Sequence, residues 1–255
     1  KPTQARTLFQ SKKVTAILPD HYKSPAVMTF VQTSIAMIAF AANPLLCRLA
    51  LREEQIDAAS FATVRVISGA LVLALILLLQ KNVDYRPKAS WWSTFMLFTY
   101  MVLFSFAYLT LSAGTGTLIL FGAVQLTMFI TGIRRGEQFS LISWAGLTLA
   151  VIGLVYLVSP GVTAPDPAGA LMMTVAGIAW GVYSLLGKAC VNPLAATANN
   201  FIYSVPLVIG VSLLFTGDLH ISPQGLILAA ASGAIASGLG YTIWYAGLRE
   251  LKPTS

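Results

Sequence analysis

The residues able to do chemistry are few in this chain, because 56% of it is hydrophobic and only 10% is charged. Their spacing is therefore informative. Trp180, Tyr183, Ser184 and Gly187 stand at i, i+3, i+4 and i+7, which is one face of a helix. An offset of 140 residues, which lays Ile178 on Ile38, returns Phe40, Asn43, Pro44 and Cys47 at the same spacing. Tyr241, Trp244 and Tyr245 share a further face, and the same offset gives Met101, Phe104 and Ser105, with Tyr108 one turn later. Rings on such faces can stack on a solute, while hydroxyls and amides orient it. The candidate solute contacts are accordingly Asn43, Ser105, Tyr108, Trp180, Tyr183, Ser184, Tyr241, Trp244 and Tyr245. Gln125 joins them, since an amide in the middle of an apolar run needs a partner. The same spacing also suits packing between helices or anchoring at a membrane interface, and Gln125 equally suits a hydrogen bond between helices.

Arg65 is the one charged residue well inside an apolar run, about six residues from its end and so roughly 9 Å deep. It is a candidate contact for an anionic solute. It can also snorkel outward to Glu53, Glu54 or Asp57. Gly136-Glu137 precedes another run, where a carboxylate complements a helix dipole, and Gly177-x-x-x-Gly181 permits close helix contact.

The elements that must hold these residues are eight apolar runs, about Val27–Cys47, Ala59–Leu79, Trp91–Leu111, Thr115–Ile133, Leu141–Ser159, Ala168–Gly187, Asn199–Thr216 and Gly225–Leu248. Each is near the length of a tilted membrane-spanning helix, and none shows the alternation of a barrel strand. Breakers such as Arg86-Pro87, Ser159-Pro160-Gly161 and Ser222-Pro223 separate them. The expected fold class is all-α, a polytopic membrane helix bundle. Residues 1–25 form a basic tail too short in apolar residues to span. Cys47 and Cys190 lie in apolar stretches without C-x-x-C spacing and read as small packing residues.

The net charge of +7 fits membrane orientation, and no DNA- or RNA-binding pattern accompanies it. With the N-terminus in the cytoplasm, the tail, Lys81, Arg86, Lys88, Arg134, Arg135, Lys188, Arg249 and Lys252 fall inside, whereas only Arg48 and Arg52 fall outside. Five spans separate equivalent helices. Because five is odd, the two halves must be inverted, related by a pseudo-two-fold axis in the membrane plane.

The stretch RRGEQFSLISWAGLTLAVIGLVYL, from Arg134 to Leu157, resembles the signature closing the first half of EamA-type carriers of the drug/metabolite transporter superfamily. GAIASGLGYTIWYAGLRELKPTS, from Gly233 to Ser255, is similar to the family's G-x-x-x-x-G-x-x-Y-x-x-W-Y-x-A-L segment, with Gly247 in place of its Ala. Asn43-Pro44 and Arg65 also stand where such carriers often have them. Val124-Gln125 occupies the place of the usual mid-helix Pro. The resemblance implies ten helices in two five-helix repeats, here 26–160 and 161–255, the second stopping after its third helix; a partial sequence is the expectation. It implies a secondary transporter, at the cytoplasmic (inner) membrane, exporting an amino acid or related metabolite, with lipid and a small solute as its partners. A membrane enzyme acting on lipid-linked substrates, or a structural subunit, are the alternatives. The enzyme would need an acid/base or metal cluster at one membrane face, and none is written here. HExxH and GxxxxGKS are absent, His21 and His220 lie outside the runs, and no cofactor is implied. No run holds a central Asp or Glu, the usual carrier of a coupling proton.

Overall fold

A computed structural model describes residues 25–80, 90–158, 164–188, 190 and 192–250. The basic tail, the connectors at 81–89 and 159–163, residues 251–255 and the side chain of Tyr245 lie outside this description. Among the described residues there are eight helical rods: α1 (Pro25–Arg52), α2 (Ala58–Leu79), α3 (Trp91–Ala107), α4 (Ala113–Arg134), α5 (Leu141–Val158), α6 (Pro167–Lys188) and α7 (Pro193–Leu214) come first. The eighth rod is composite, with α8 (Pro223–Ala231) and α9 (Gly240–Glu250) joined by a π-helical stretch, Ser232–Leu239. Six rods are long and apolar enough to cross a membrane, and α3 and α5 are shorter apolar helices.

Their starts are set by side chains that accept the otherwise orphaned backbone N–H groups. Asp57 accepts from the Ser60 amide at 2.8 Å, Asp166 from Gly169 at 2.7 Å, and Ser222 from Gly225 at 3.0 Å. Asn192 caps α7, with Pro193 in the first turn where its missing N–H costs nothing. That cap starts α7 a turn and a half before the expected Asn199. Gly136 is in the left-handed region (φ 79°) and donates to the Ile133 carbonyl, so Gly136-Glu137 terminates α4. The expected capping of α5 by Glu137 is replaced by Ser140, which accepts from the Ser143 amide at 3.2 Å.

Two pairings organise the bundle. α1 packs along α9 and the π-helical stretch, while α3 packs along α6; α2 lies against α7 between them. α4 seats on α6, and α5 touches mainly α4, leaving Leu141, Ile142 and Tyr156 exposed. Leu71, Leu75, Leu78, Leu213 and Leu214 are likewise exposed, an apolar outer surface suited to hydrocarbon. Small residues set the closest contacts. A Cβ on Gly177 would lie 2.6 Å from the Leu120 carbonyl oxygen and 2.6 Å from the Ala123 Cβ, so α6 and α4 meet backbone to side chain there.

One end of the bundle is stitched by its connections. Ile56 and Ile221 form an antiparallel bridge, the Asp57 amide donates to His220 O at 3.0 Å, and Ser222 N donates to Gln55 O at 2.8 Å. The Ser222 hydroxyl donates to Gln55 Oε1 at 2.7 Å, and Arg48 Nη1 donates to Tyr108 O at 2.7 Å. Toward the other end, Thr94 donates to Asn200 Oδ1 at 3.2 Å across α3 and α7.

The α6–α4 contact is tested by glycine replacement. Gly177→Ala should lose about 1–3 kcal/mol of stability to overpacking. Gly146→Ala on the open face of α5, where a Cβ meets nothing, should be neutral or stabilising. Thermal unfolding in detergent reads the difference.

Candidate functional site

Midway along the bundle α1, α2, α3, α4, α6 and the eighth rod converge on a cavity of about 10 Å³. That is room for about one water molecule. Its walls are Phe40, Asn43 and Pro44 from α1, Arg65 from α2, and Tyr100 and Phe104 from α3. Leu120 and Phe121 of α4, Trp180 of α6, Ser237 and Tyr241 complete it.

Rings fill most of this space. Trp180 stacks on Tyr100 (centroids 5.6 Å, 20° between planes) and meets Phe121 edge-on at 5.5 Å. Phe40 lies edge-on to Tyr241 at 5.2 Å, and to Trp180 and Trp244 at 6.3 Å. Trp180 Nε1 donates to the Tyr241 hydroxyl at 2.9 Å, which ties α6 to α9 across the cavity. These offset and edge-to-face arrangements suit aromatic quadrupoles.

Arg65 is wholly buried, 0% exposed, and does not reach outward to Glu53, Glu54 or Asp57. The snorkelling alternative is thus corrected: Arg65 Nη2 donates inward to the Tyr100 hydroxyl at 3.0 Å. Its guanidinium carbon lies 5.3 Å from the Tyr100 ring centroid and 4.7 Å from that of Phe104. Cation–π attraction to two rings explains why the side chain turns in. Asp57 is already engaged by the Ser60 and His220 amides. The nitrogens Nε and Nη1 of Arg65 have no hydrogen-bond partner among the described residues.

Asn43 forms the other polar wall. Its Oδ1 accepts from the Ser232 hydroxyl at 2.7 Å, and its Nδ2 donates to Ser237 Oγ at 3.5 Å. Both serines belong to the π-helical stretch, a form concentrated at functional sites. Beside Asn43, Pro44 has no N–H to offer the Phe40 carbonyl, so α1 lacks one helical hydrogen bond at the cavity.

The structure brings Asn43, Arg65, Trp180 and Tyr241 together and places Trp244 at the edge of the ring cluster. The other candidates sit elsewhere. Ser105 is buried and donates to the Met101 carbonyl in its own helix at 2.9 Å; Ser184 does likewise to Trp180 O at 2.8 Å. Tyr108 closes the α3–α4 turn through Thr117 and Ala113, with Gly116 against its ring. Tyr183 is buried between α6 and α7 and donates to Thr197 at 3.0 Å. Gln125 lies exposed on α4 and is not among the residues that wall the cavity.

Tyr100, Leu120, Phe121 and Ser237 were missed. For Tyr100 the reason is geometric. Each π turn closes on i→i+5 and so holds one residue more than an α turn. The stretch Ser232–Leu239 therefore shifts the register by one, from Met101 to Tyr100, and in keeping with that Tyr100 meets Trp180 of α6 as Tyr241 meets Phe40 of α1.

An all-helical chain with apolar outer faces and a central polar-aromatic cavity defines a multi-pass membrane protein. A family model described as the EamA-like transporter family matches residues 28–159 and again 167–255, and the chain belongs to that family. It is similar to an uncharacterized protein of Pseudomonas aeruginosa, 45% identical over 227 residues, covering 89% of this chain and 79% of that protein. An uncharacterized transporter of Archaeoglobus fulgidus is 23% identical over 241 residues, covering 89% of this chain and 82% of that one. A protein of known crystal structure shares the fold with a TM-score of 0.57 at 20% identity, covering 84% of this chain and 78% of that chain.

The Asn43 network yields a stability test. Ser232→Ala leaves a buried amide oxygen without its donor and should cost about 1–3 kcal/mol. Combined with Asn43→Ala the losses should fall short of additive by at least about 0.5 kcal/mol in a double-mutant cycle. Strict additivity would mean that the two side chains act independently.

Proposed function

We propose that the protein is a secondary transporter that moves a small organic solute, an amino acid or related metabolite, out across the cytoplasmic (inner) membrane. Two inverted repeats, 26–160 and 161–255, would alternate access to the central cavity, with the N-terminal segment 1–25 in the cytoplasm. One observation carries this reading: both segments wall one cavity with room for only about 10 Å³. A space of that size holds no metabolite, so a solute enters only if the helices part.

The packing supports a way of parting. Each first helix of a repeat lies against the third helix of the other, α1 on α9 and α6 on α3, and the second helices α2 and α7 face each other. Exchanging the two halves maps this pattern onto itself, as alternating access between inverted repeats requires. The Ile56–Ile221 bridge is the closed external gate in this reading, and opening it breaks the flanking hydrogen bonds and lifts buried Ile56 off Gly225. At the cavity the rings of Phe40, Trp180 and Tyr241 receive the apolar part of the solute, and Asn43 and Ser237 orient its polar part.

Trp180 is the most informative residue to change. In proteoliposomes, Trp180→Ala should lower solute affinity roughly ten- to a hundred-fold, the consequence of losing about 1–3 kcal/mol at an anchor. Its melting temperature in detergent should fall as well, since the Tyr100 stack and the Tyr241 hydrogen bond are lost, so affinity is compared per folded molecule. Ser184→Ala, four residues along the same helix but bonded only to its own backbone, should transport normally. Full transport by Trp180→Ala would remove the cavity from the pathway.

A further inference from the structure

We infer that the cavity receives the carboxylate of a monoanionic organic acid, and that Arg65 is the group that selects it. This inference rests on the proposed transport role of the cavity and narrows its solute, taking a related carboxylic acid in place of the amino acid itself.

Arg65 presents five N–H donors in a planar fork. One is used on Tyr100, and Nε and Nη1 donate to nothing although both are buried. Among the described residues no carboxylate lines the cavity. The cation is met there by two aromatic faces and one hydroxyl, which compensate it only in part. The site is short of one negative charge and of acceptor atoms.

The fork is also held in place. A Cβ on Gly233 would strike the Arg65 carbonyl and the Ser68 hydroxyl, so the π-helical stretch presses directly on the α2 backbone at this residue. Tyr100, stacked on Trp180, fixes the far end of the side chain. A tie between helices would be complete with the Tyr100 bond. Two further buried donors without partners, on a residue that walls the cavity, are what an arriving oxyanion needs.

Charge arithmetic decides among anions. One guanidinium balances one negative charge, and its planar geometry matches a carboxylate. A phosphate ester at neutral pH would bring a second charge into surroundings with no other cation among the lining residues. A zwitterionic amino acid would bring an ammonium beside the guanidinium, with no lining carboxylate to receive it. The fitting solute is an acid carrying a single carboxylate and an apolar or aromatic body, which Phe40, Phe121 and Trp180 accommodate.

The test is binding to the purified full chain in lipid nanodiscs, read by tryptophan fluorescence and calorimetry. The probes are 3-phenylpropanoate, its neutral amide, and phenylalanine, which share one carbon skeleton. The carboxylate should bind at least tenfold more tightly than either of the others. Arg65→Gln should abolish that preference, and Arg65→Lys, which keeps the charge without the fork, should retain part of it. Should Arg65→Gln not fold, the comparison of the three probes on the unaltered protein still decides. Equal affinity for the carboxylate and the amide, no measurable binding of the carboxylate, or phenylalanine binding as tightly as 3-phenylpropanoate would each overturn the assignment. Trp180-dependent transport of some other solute would then leave the transport reading standing, whereas its absence would remove that reading as well.

Discussion

A buried positive charge, with no buried negative one among the described residues, is the constraint on which the centre of this molecule depends. Arg65 sits in an apolar bundle where an isolated charge is costly, and the surroundings are those that reduce the cost. Tyr100 and Phe104 present ring faces to the guanidinium, and the Tyr100 hydroxyl takes one of its protons in a hydrogen bond. Tyr100 in turn stacks on Trp180, which is bonded to Tyr241, which lies edge-on to Phe40. Four rods are thus linked, ring by ring, to one cation. The arrangement is complete as packing and incomplete as electrostatics, and a binding site differs from a core in that respect.

In the proposed mechanism the same residues are where the cavity would open. Its α1 wall carries Pro44, where a helical hydrogen bond is missing, and its wall in the eighth rod is π-helical. Both are places where a helix can change its path without losing a regular ladder of bonds. Between them the contact is polar, Asn43 with Ser232 and Ser237, so partners can be exchanged for solute or water. At one end the connections meet in a single bridge with flanking hydrogen bonds, and Gly225 lies close against Gln55 and Ile56. The tight glycine contacts of α6 with α4 and of the eighth rod with α2 lie elsewhere, and suit rigid units that move as wholes.

Much of the fold was legible because a membrane leaves few choices. Continuous apolar runs between Pro, Gly and charged residues can only be helices there, and the rods follow those runs to within a turn or two. The site was legible in part. Trp180, Asn43 and Tyr241 stood out because a constant offset repeats their spacing, and the offset carries geometry as long as both copies are α-helical. It failed at Tyr100, because a π-helical stretch shifts the register of one copy only, and i→i+5 closure leaves no compositional mark. It also promoted Ser105 and Ser184, whose hydroxyls are satisfied by their own helices. Arg65 was the opposite case: the sequence showed the charge, but its direction was decided by two rings on another helix.

The central claim is that this closed cavity opens alternately to the two sides of the membrane. Ser237 lines it and is 1% exposed. In a chain with Cys47 and Cys190 replaced, Ser237→Cys should react slowly with an impermeant thiol reagent applied from either side during transport. Adding Ile56→Cys and Ile221→Cys and oxidising them locks the bridge, since antiparallel pairs lie about 4.5–5.5 Å apart at Cα, within disulfide range. Labelling from the bridge side should then cease while labelling from the opposite side persists, and reductant should restore both. Labelling from both sides with the bridge locked, or from neither side during transport, would contradict the account.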